Sequence, residues 1–305
     1  MRESDLLDHI YRSTAGMGLR FDQVVVGPGD DAAVVRTPPG DTLLVTVDQL
    51  IERRHFDPGT PVDLIARKAV ARSISDIAAM GGVPFVGLAT GAIPPGFDHE
   101  RQLVDALHRW AEHWRMPLVG GDVAATTGPL TLTVTAIGRP ATDEKGAMLG
   151  PYLRSTARPG DDIFVTGVLG GSLASGWHLR FEPRLAEAAL IARDLGPHLH
   201  ALIDISDGLG RDGARVGRAS GVVLEIDAAR LPMREGVDDW RRAAGDGEDY
   251  ELLLTASADR EVDPAKTTWI GRVVAPSADQ PAGAVIVDEA GNRHDGADFG
   301  WDHVI

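Results

Sequence analysis

"VVVGPGDDAAVVR", residues 24–36, puts an apolar run directly before a glycine-rich turn that begins at Gly27. Its G-x-G-x-x-A spacing is typical of loops that hold a dinucleotide phosphate at the start of a helix. Here the carboxylates of Asp30 and Asp31 occupy the turn, and the strand-like "AAVV" follows where that motif needs a helix. The segment therefore predicts two strands joined by an acidic turn, and it argues against a Rossmann site.

A carboxylate beside glycine also ends later apolar runs, in "GGD", "DISDG" and "GDGED". One Asp-Gly pair alone is most often a turn, because Asp bonds its own downstream backbone and Gly accepts positive φ. Repetition favours a shared cation site instead, since hard oxygen ligands without His or Cys suit Mg²⁺, and bound Mg²⁺ attracts phosphate. The carboxylates that end these and neighbouring runs are Asp30, Asp31, Asp48, Asp76, Asp122, Asp204 and Asp207.

The length of 305 residues and the 43% hydrophobic content are enough for two domains, at about 150 residues each. Strand-like and helix-like patterns alternate along the chain, which predicts a mixed α/β (α+β) fold. The stretch at 140–162 is polar with Gly and Pro throughout, and such a composition is typical of a boundary. We therefore expect an N-terminal domain at 1–140 and a C-terminal domain at 150–305.

Two segments of the first half have clear patterns. Apolar residues at helical spacing over 61–82, closed by two glycines, predict one long helix that ends in small residues. The stretch 117–139 predicts two strands, with the Gly-Gly-Asp sequence at 120–122 as the turn between them.

Charge and composition exclude several classes of protein. Thirty Lys and Arg face forty-five Asp and Glu, and the formal charge of −15 would repel a nucleic acid. The chain has no Cys, which excludes disulfides, zinc-thiolate sites and a thiol nucleophile. The charged N-terminus does not resemble a signal peptide, and no stretch reaches the roughly 18 apolar residues of a membrane span. We expect a cytoplasmic protein with no nucleic-acid or membrane partner.

Other phosphate-binding and catalytic motifs are absent from the sequence. It has no G-x-x-x-x-G-K-[ST], no G-x-S-x-G and no protein-kinase HRD. The glycine-rich segment 166–176, "TGVLGGSLASG", either offers backbone N–H groups to phosphate or only permits close packing of a strand and a helix. His55 is either functional or an ordinary structural histidine. The sequence leaves these alternatives open for the segment 166–176 and for His55.

Nine segments, spread in order over residues 27 to 304, resemble the thiamine-monophosphate kinase family, which belongs to the superfamily of aminoimidazole ribonucleotide synthetase. Each segment alone is a weak signal, but their order is specific. They are "GPGDDAAVV", "LLVTVDQLIERRHF", "ARSISDIAAMGGVP", "PLVGGD", "LRSTARPGDDIFVTGVLGGS", "EPRL", "LIDISDGL", "GEDYELL" and "GWDHV".

The resemblance implies ATP-dependent phosphorylation of thiamine phosphate to thiamine diphosphate by direct in-line transfer, assisted by several Mg²⁺ ions. It implies a homodimer of two-domain subunits with the aminoimidazole ribonucleotide synthetase-like fold. The N-terminal mixed-sheet domain would bind ATP and Mg²⁺ and form the dimer, and the C-terminal α/β domain would complete the phosphate and substrate site.

The same resemblance assigns residues to roles. The implied metal shell is Asp30, Thr46, Asp48, Asp76, Asp122, Asp204 and Asp207, whose aspartates are also the implied catalytic residues. The implied ATP contacts are Gly121, Asp122, Arg154 and Ser206. The implied contacts to thiamine phosphate are His55, Glu248 and Trp301.

The chain departs from the family pattern at several positions. Val47 stands where the family usually has Thr, Arg53 and Arg54 replace a Gly-Val pair, and Asp246 replaces a Gly. These departures bear mainly on substrate choice. Two alternatives therefore stay open: a paralogous ATP-dependent enzyme of the same superfamily with another phosphorylated or amide substrate, and a non-catalytic nucleotide-binding dimer.

Overall fold

The computed structural model describes residues 2–38, 40–260, 262–263 and 265–302. These residues form two seven-stranded sheets, one from each half of the chain. Both sheets contain antiparallel and parallel strand pairs, so the predicted mixed α/β class is confirmed. The predicted domain limits, 1–140 and 150–305, stay a prediction. No helix of the described residues is long and apolar enough to cross a membrane.

The first half forms a sheet in the order β1-β2-β3-β6-β4-β5, with β7 paired to β6. The acidic turn at 27–32 joins the antiparallel strands β1 and β2, as the sequence predicts. The elements of this half are α1 (Glu3–Thr14), α2 (Met17–Arg20), β1 (Val24–Val26), β2 (Ala33–Arg36), β3 (Thr42–Ile51), α3 (Val62–Ala79), β4 (Gly82–Ile93), α4 (Glu100–His113), β5 (Leu118–Ala125), β6 (Thr131–Thr142) and β7 (Met148–Leu149).

The second half forms a sheet in the order β14-β13-β10-β12-β8-β11-β9. Strand β9 lies at one edge of this sheet and ends at Asp204. The elements are β8 (Asp161–Thr166), α5 (Ser172–Ser175), α6 (Leu185–Leu195), β9 (Leu199–Asp204), α7 (Leu209–Ser220), β10 (Val223–Asp227), α8 (Trp240–Gly245), β11 (Leu252–Ser257), β12 (Thr267–Val274), β13 (Gly283–Val287) and β14 (Arg293–Asp295).

Helix α3 connects the two halves. It packs against β3, β6 and α4 of the first half and against α6 and β9 of the second. Its alanines allow close approach on several sides, while Ile65, Ile74 and Ile77 fill the core of the first half. Truncating a buried Ile to Ala costs about 2–5 kcal/mol, so this helix is held firmly. Its last turn carries Asp76 to the boundary between the halves.

The Gly-Gly-Asp sequence at 120–122 was predicted to be a turn, and this prediction is wrong. The three residues lie inside the edge strand β5, parallel to β4. A Cβ on Gly121 would stand 1.8 Å from the Ala89 carbonyl oxygen, so the glycine permits a backbone approach that no other residue allows. Periodicity could not show this, because two adjacent glycines usually indicate a turn.

One face of the first sheet is uncovered and partly apolar. Val47 of β3 and Leu88 of β4 flank Thr135 of β6 in one cross-strand row. The side chain of Val47 is 61% exposed, and on the edge strand Val119 is 64% exposed. A contiguous apolar surface of this kind is typical of a protein interface.

Candidate active site

Three carboxylates from distant parts of the chain meet at the boundary between the two sheets. Asp31 comes from the turn between β1 and β2, Asp76 from the last turn of α3, and Asp204 from the end of β9. One oxygen atom of each lies within 4.8 Å of the others. Oxygen ligands at this spacing, with no His or Cys, fit a hard cation such as Mg²⁺.

Mutual repulsion and burial make this acidic cluster (Asp31, Asp76 and Asp204) ready to accept a positive charge. Burial raises the pKa of Asp76 well above 3.8, and the nearby charges of Asp48 and Asp204 raise it further. Burial and the charge of Asp31 likewise raise the pKa of Asp204. Burial and repulsion therefore favour the protonated forms of Asp76 and Asp204 when no cation is bound, and a metal would compete with these protons.

Two hydroxyl groups orient the cluster. Thr46 Oγ1, on β3, donates to Asp76 Oδ2 at 2.5 Å, and Ser75 Oγ donates to Asp204 Oδ2 at 2.5 Å. Thr46 was a predicted metal ligand, and the structure places its hydroxyl directly beside the cluster. Each hydroxyl fixes the orientation of one carboxylate of the cluster.

Asp30 was the predicted ligand from the acidic turn, but the structure places Asp31 in the cluster. Asp30 Oδ2 accepts the backbone N–H of Arg154 at 3.1 Å, and its Oδ1 accepts the backbone N–H of Asp31. Burial and the charge of Asp31 raise the pKa of Asp30 to about 7. The guanidinium of Arg154 bonds both oxygens of Asp31. Asp30 thus supports the turn from behind, while Asp31 faces the other two carboxylates.

Two other predicted ligands have cationic partners. Asp48 Oδ1 accepts from Arg72 at 3.4 Å, and Asp207 pairs with Arg215 at 2.5 Å. The loop that carries Asp207 is ordered by Asp212, which was not predicted. Asp212 Oδ2 accepts the backbone N–H groups of residues 206, 207 and 208. A buried carboxylate that collects three backbone donors is a structural anchor for its loop.

The structure does not bring Asp122 to the cluster of its own chain. Asp122 of β5 and Gln49 of β3 lie in the same cross-strand row of the sheet, and strands β4 and β6 separate them. Three strand spacings amount to about 14 Å, so Asp122 and Gly121 lie too far from Asp48 to share an ion with it. Sequence order gives no information on this separation.

The three predicted substrate contacts line one cavity, which we call the acceptor cavity. It lies next to the acidic cluster, and Ser206, a predicted ATP contact, also lines it. Its lining residues are Arg54, His55, Arg72, Leu173, Ser206, Asp207, Glu248, Tyr250 and Trp301.

His55 is a neutral hydrogen-bonding group in this cavity. Its Nδ1 accepts the backbone N–H of Ile51 at 2.9 Å, which places the remaining proton on Nε2. Burial and the charge of Arg72 lower the pKa of His55 to about 3. The side chain therefore presents a neutral N–H donor at neutral pH.

Glu248 and Trp301 are fixed by backbone contacts. Glu248 has φ +53°, and its N–H donates to the Ser206 carbonyl at 2.7 Å. Trp301 Nε1 donates to the Asp246 carbonyl at 2.7 Å, while the residue remains 47% exposed. This hydrogen bond holds the indole at the rim of the acceptor cavity. Of the terminal motif "GWDHV", residues 303–304 lie outside the described residues.

A second cavity, the donor cavity, has a volume of about 290 Å³ and lies on the other side of Arg154. Helices α1 and α7 and the acidic turn form its walls. Four arginines and one carboxylate line it, and three of the arginines, Arg154, Arg211 and Arg215, also pair with carboxylates behind its wall. Its lining residues are Ser4, Leu7, Asp8, Tyr11, Gly29, Arg154, Arg211, Arg215, Arg218 and Ala219.

The glycine-rich segment 166–176 has a packing role. The N–H of Gly170 donates to the carboxylate of Asp249, and the N–H of Gly171 donates to Asp246 Oδ2 at 2.9 Å. Side chains of the protein therefore occupy donors that the phosphate-binding alternative requires. The departure at Asp246 has a structural explanation here, because its carboxylate joins this loop to α8.

Two basic residues of α3 were missed by the sequence reasoning. Lys68 and Arg72 lie about one helical turn apart. Arg72 lines the acceptor cavity, whereas Lys68 does not. Lys68 has 0% exposure. A lysine inside an alanine-rich helical run was the available signal, because a buried cation needs a partner.

The fold and this site place the chain in a defined class of proteins. Residues 29–139 match the family model of the AIR synthase related protein, N-terminal domain. A solved structure described as AaThiL complexed with AMPPCP and TMP has a TM-score of 0.81 and 27% identity, covering 99% of this chain and 97% of that chain.

Sequence relatives give the particular family. A thiamine-monophosphate kinase of Rhodopirellula baltica is 33% identical over 284 residues, which cover 85% of this chain and 86% of the relative. That of Bacillus subtilis is 34% identical over 285 residues, with 84% of each chain covered. The chain belongs to the thiamine-monophosphate kinase family. The predicted family, fold and assignment as an enzyme are thereby confirmed.

Proposed function

We propose that the protein transfers the γ-phosphoryl group of ATP to thiamine phosphate, giving thiamine diphosphate and ADP. The observation that carries the proposal is the position of the acidic cluster between the arginine-lined donor cavity and the acceptor cavity. Both cavities would then open onto the point where phosphate groups meet. The ligands named for AaThiL, AMPPCP and TMP, support this division.

The donor set fits several Mg²⁺ ions, with Asp31, Asp76 and Asp204 as the central ligands. Mg²⁺ bound there would neutralise charge on the phosphoryl group during transfer. Asp48 and Asp207, each paired with an arginine in this structure, would be further ligands. Asp30 would act by fixing Arg154 and the acidic turn.

The donor cavity would hold ATP. Arg154, between the acidic turn and this cavity, has donors for phosphate oxygens, and α7 contributes three more arginines. Tyr11 provides an aromatic face for the base. Ser206, at the loop before α7, would contact the terminal phosphates.

The acceptor cavity fits a molecule that carries both a phosphate and a cationic ring. Arg54 and Arg72 would face the phosphate, and the indole of Trp301 would stack on the thiazolium. Glu248 would accept from the aminopyrimidine, to which the neutral His55 presents its N–H. The attacking oxygen belongs to an already ionised phosphate, so transfer needs in-line positioning and no strong general base.

We further propose a homodimer through the uncovered face of the first sheet. Val47, Leu88 and Val119 offer apolar surface there, and the edge strand that carries Asp122 continues it. In such a dimer, Asp122 would serve the site of a second copy, which accounts for its distance from the cluster of its own chain. Sedimentation should give a dimer for the parent and a monomer for Leu88→Glu, whereas a monomeric parent would contradict this arrangement.

Product analysis tests the activity. The protein is incubated with Mg²⁺, ATP and thiamine phosphate, and chromatography should show thiamine diphosphate and ADP in equal amounts. Unphosphorylated thiamine and formylglycinamidine ribonucleotide are the comparison substrates. Turnover of the ribonucleotide in place of thiamine phosphate would favour the paralogous enzyme, and ATP binding without any turnover would favour the non-catalytic dimer.

A further inference from the structure

Lys68 is a fully buried cation whose hydrogen-bonding capacity is satisfied by three acceptors. Its Nζ lies 2.7 Å from the His55 carbonyl oxygen, 2.8 Å from His178 Nδ1 and 2.5 Å from Glu248 Oε2. An ammonium has three N–H donors and no acceptor, so each contact uses one donor. Because Nζ cannot accept, Nδ1 of His178 is unprotonated and its proton lies on Nε2.

The Lys68 ammonium lies behind the wall of the acceptor cavity. Glu248 and His55 line that cavity, whereas Lys68 does not. The backbone of Glu248 is held separately, since its carbonyl accepts from Ser172 Oγ at 2.5 Å and its N–H bonds the Ser206 carbonyl. Lys68 is therefore the group that fixes the carboxylate end of Glu248 and the backbone of His55 together.

We propose that Lys68 is a positioning residue for the acceptor substrate, which holds Glu248 and His55 at a set distance for an amino-substituted heterocycle. This inference rests on the proposed function, because it takes thiamine phosphate as the occupant of the acceptor cavity. Lys68 also balances the charge of Glu248, so the wall offers an oriented acceptor without an unpaired buried anion. Its role is to orient binding, and it touches no reacting atom.

The ionisation of Lys68 and Glu248 predicts a pH dependence of substrate binding that a purely packing role of Lys68 would not produce. Burial would raise the pKa of Glu248, but the charge and the hydrogen bond of Lys68 oppose burial and hold this pKa below its usual range. Burial lowers the pKa of Lys68 to about 8, although the charge of Glu248 opposes this. Other charged or titratable groups around Lys68 and Glu248 are Arg72, on the same helix as Lys68, with His55, His178 and Tyr250.

The direction of the pH effect follows from these values. Below a pH of about 8, Lys68 is an ammonium with three donors. Above it, Lys68 loses one donor and its charge, and Glu248 becomes an unbalanced anion. Affinity for thiamine phosphate should therefore weaken as the pH rises through 8, while a phosphate ester stays fully ionised because its second pKa is about 6.

Calorimetry of thiamine phosphate binding, with Mg²⁺ and without ATP, tests this between about pH 6.5 and 9. We expect the parent to lose several-fold affinity across the upper half of this range. Lys68→Met should weaken binding and raise KM for thiamine phosphate about ten- to a hundredfold at pH 7, with KM for ATP unchanged. Lys68→Arg, which stays charged, should restore part of the affinity and abolish the alkaline loss. The exposed Lys145→Met is the matched control.

A double-mutant cycle separates positioning from packing. If Lys68 acts through Glu248, Lys68→Met should add little to the loss already caused by Glu248→Gln. Additive losses, an equal rise in KM for ATP, or a pH-independent affinity of the parent would each overturn the inference. The pH dependence of affinity in the parent protein tests the inference even if a variant does not fold. A parent that neither binds nor phosphorylates thiamine phosphate would instead overturn the proposed function.

Discussion

Substituting Asp76 by Asn should stabilise the metal-free protein and abolish its activity. Asp76 lies within 4.8 Å of both other carboxylates of the cluster. Two unit charges at that distance repel by about 3.5 kcal/mol at an effective dielectric constant of 20. The raised pKa of Asp76 means that the folded protein keeps a proton that the unfolded chain releases. This contribution to stability is complete below the unfolded pKa of 3.8, and it is lost as the pH rises through the folded value.

Asn has nearly the same shape as Asp but carries no charge. The variant therefore does not lose the stability that the parent loses when Asp76 ionises. At pH 8 without Mg²⁺, we expect Asp76→Asn to be more stable than the parent by about 1–3 kcal/mol. This should appear as a melting temperature several degrees higher, and the difference should vanish near pH 4. Added Mg²⁺ should raise the melting temperature of the parent and leave that of the variant unchanged. Turnover should fall about a thousandfold.

The assay is differential scanning fluorimetry with and without Mg²⁺, read alongside turnover. Asp63→Asn is the control, because Asp63 lies at the exposed start of the same helix. A variant that is less stable than the parent at pH 8, or that responds to Mg²⁺ as the parent does, would refute the reasoning.

Three further predictions follow from local geometry. Arg53 has φ +67°, where the family pattern has Gly, so Arg53→Gly should raise stability by about 1 kcal/mol in denaturant titrations; a loss of stability would contradict this. Arg184 pairs with the buried carboxylate of Glu251 at 2.5 Å, and Arg184→Met should lower stability by about 3 kcal/mol; an unchanged denaturation midpoint would contradict it. Mg²⁺ affinity, measured by calorimetry, should fall as the pH is lowered, because the raised pKa values of Asp76 and Asp204 let protons compete with the metal; a pH-independent affinity would show that the metal binds elsewhere.

The strands and long helices could be predicted from the sequence because their signals are local. The short apolar runs in 24–36 and the acidic turn between them give β1 and β2, and apolar spacing gives α3 within a few residues of its observed bounds. The prediction of a turn at the Gly-Gly-Asp segment was wrong for a physical reason. Its glycines serve a close strand contact with Ala89, which only the assembled sheet reveals.

The candidate site could be predicted as a set of residue types but not as a geometry. Carboxylates at the ends of buried runs indicated a cation site. The choice between Asp30 and Asp31 depends on which neighbour faces the cluster, and that is set by the backbone of Arg154, more than a hundred residues away. The role of Lys68 depends on Glu248 and His178, whose proximity no local pattern encodes.

The most direct test of the account is to locate the metal ions. Crystals grown with Mn²⁺ in place of Mg²⁺, a non-hydrolysable ATP analogue and thiamine phosphate give anomalous scattering at each ion. The account predicts peaks bridging Asp31, Asp76 and Asp204, with the terminal phosphate of the nucleotide on one side and the phosphate of thiamine phosphate on the other. Peaks remote from these carboxylates, or phosphate groups that do not meet there, would contradict it.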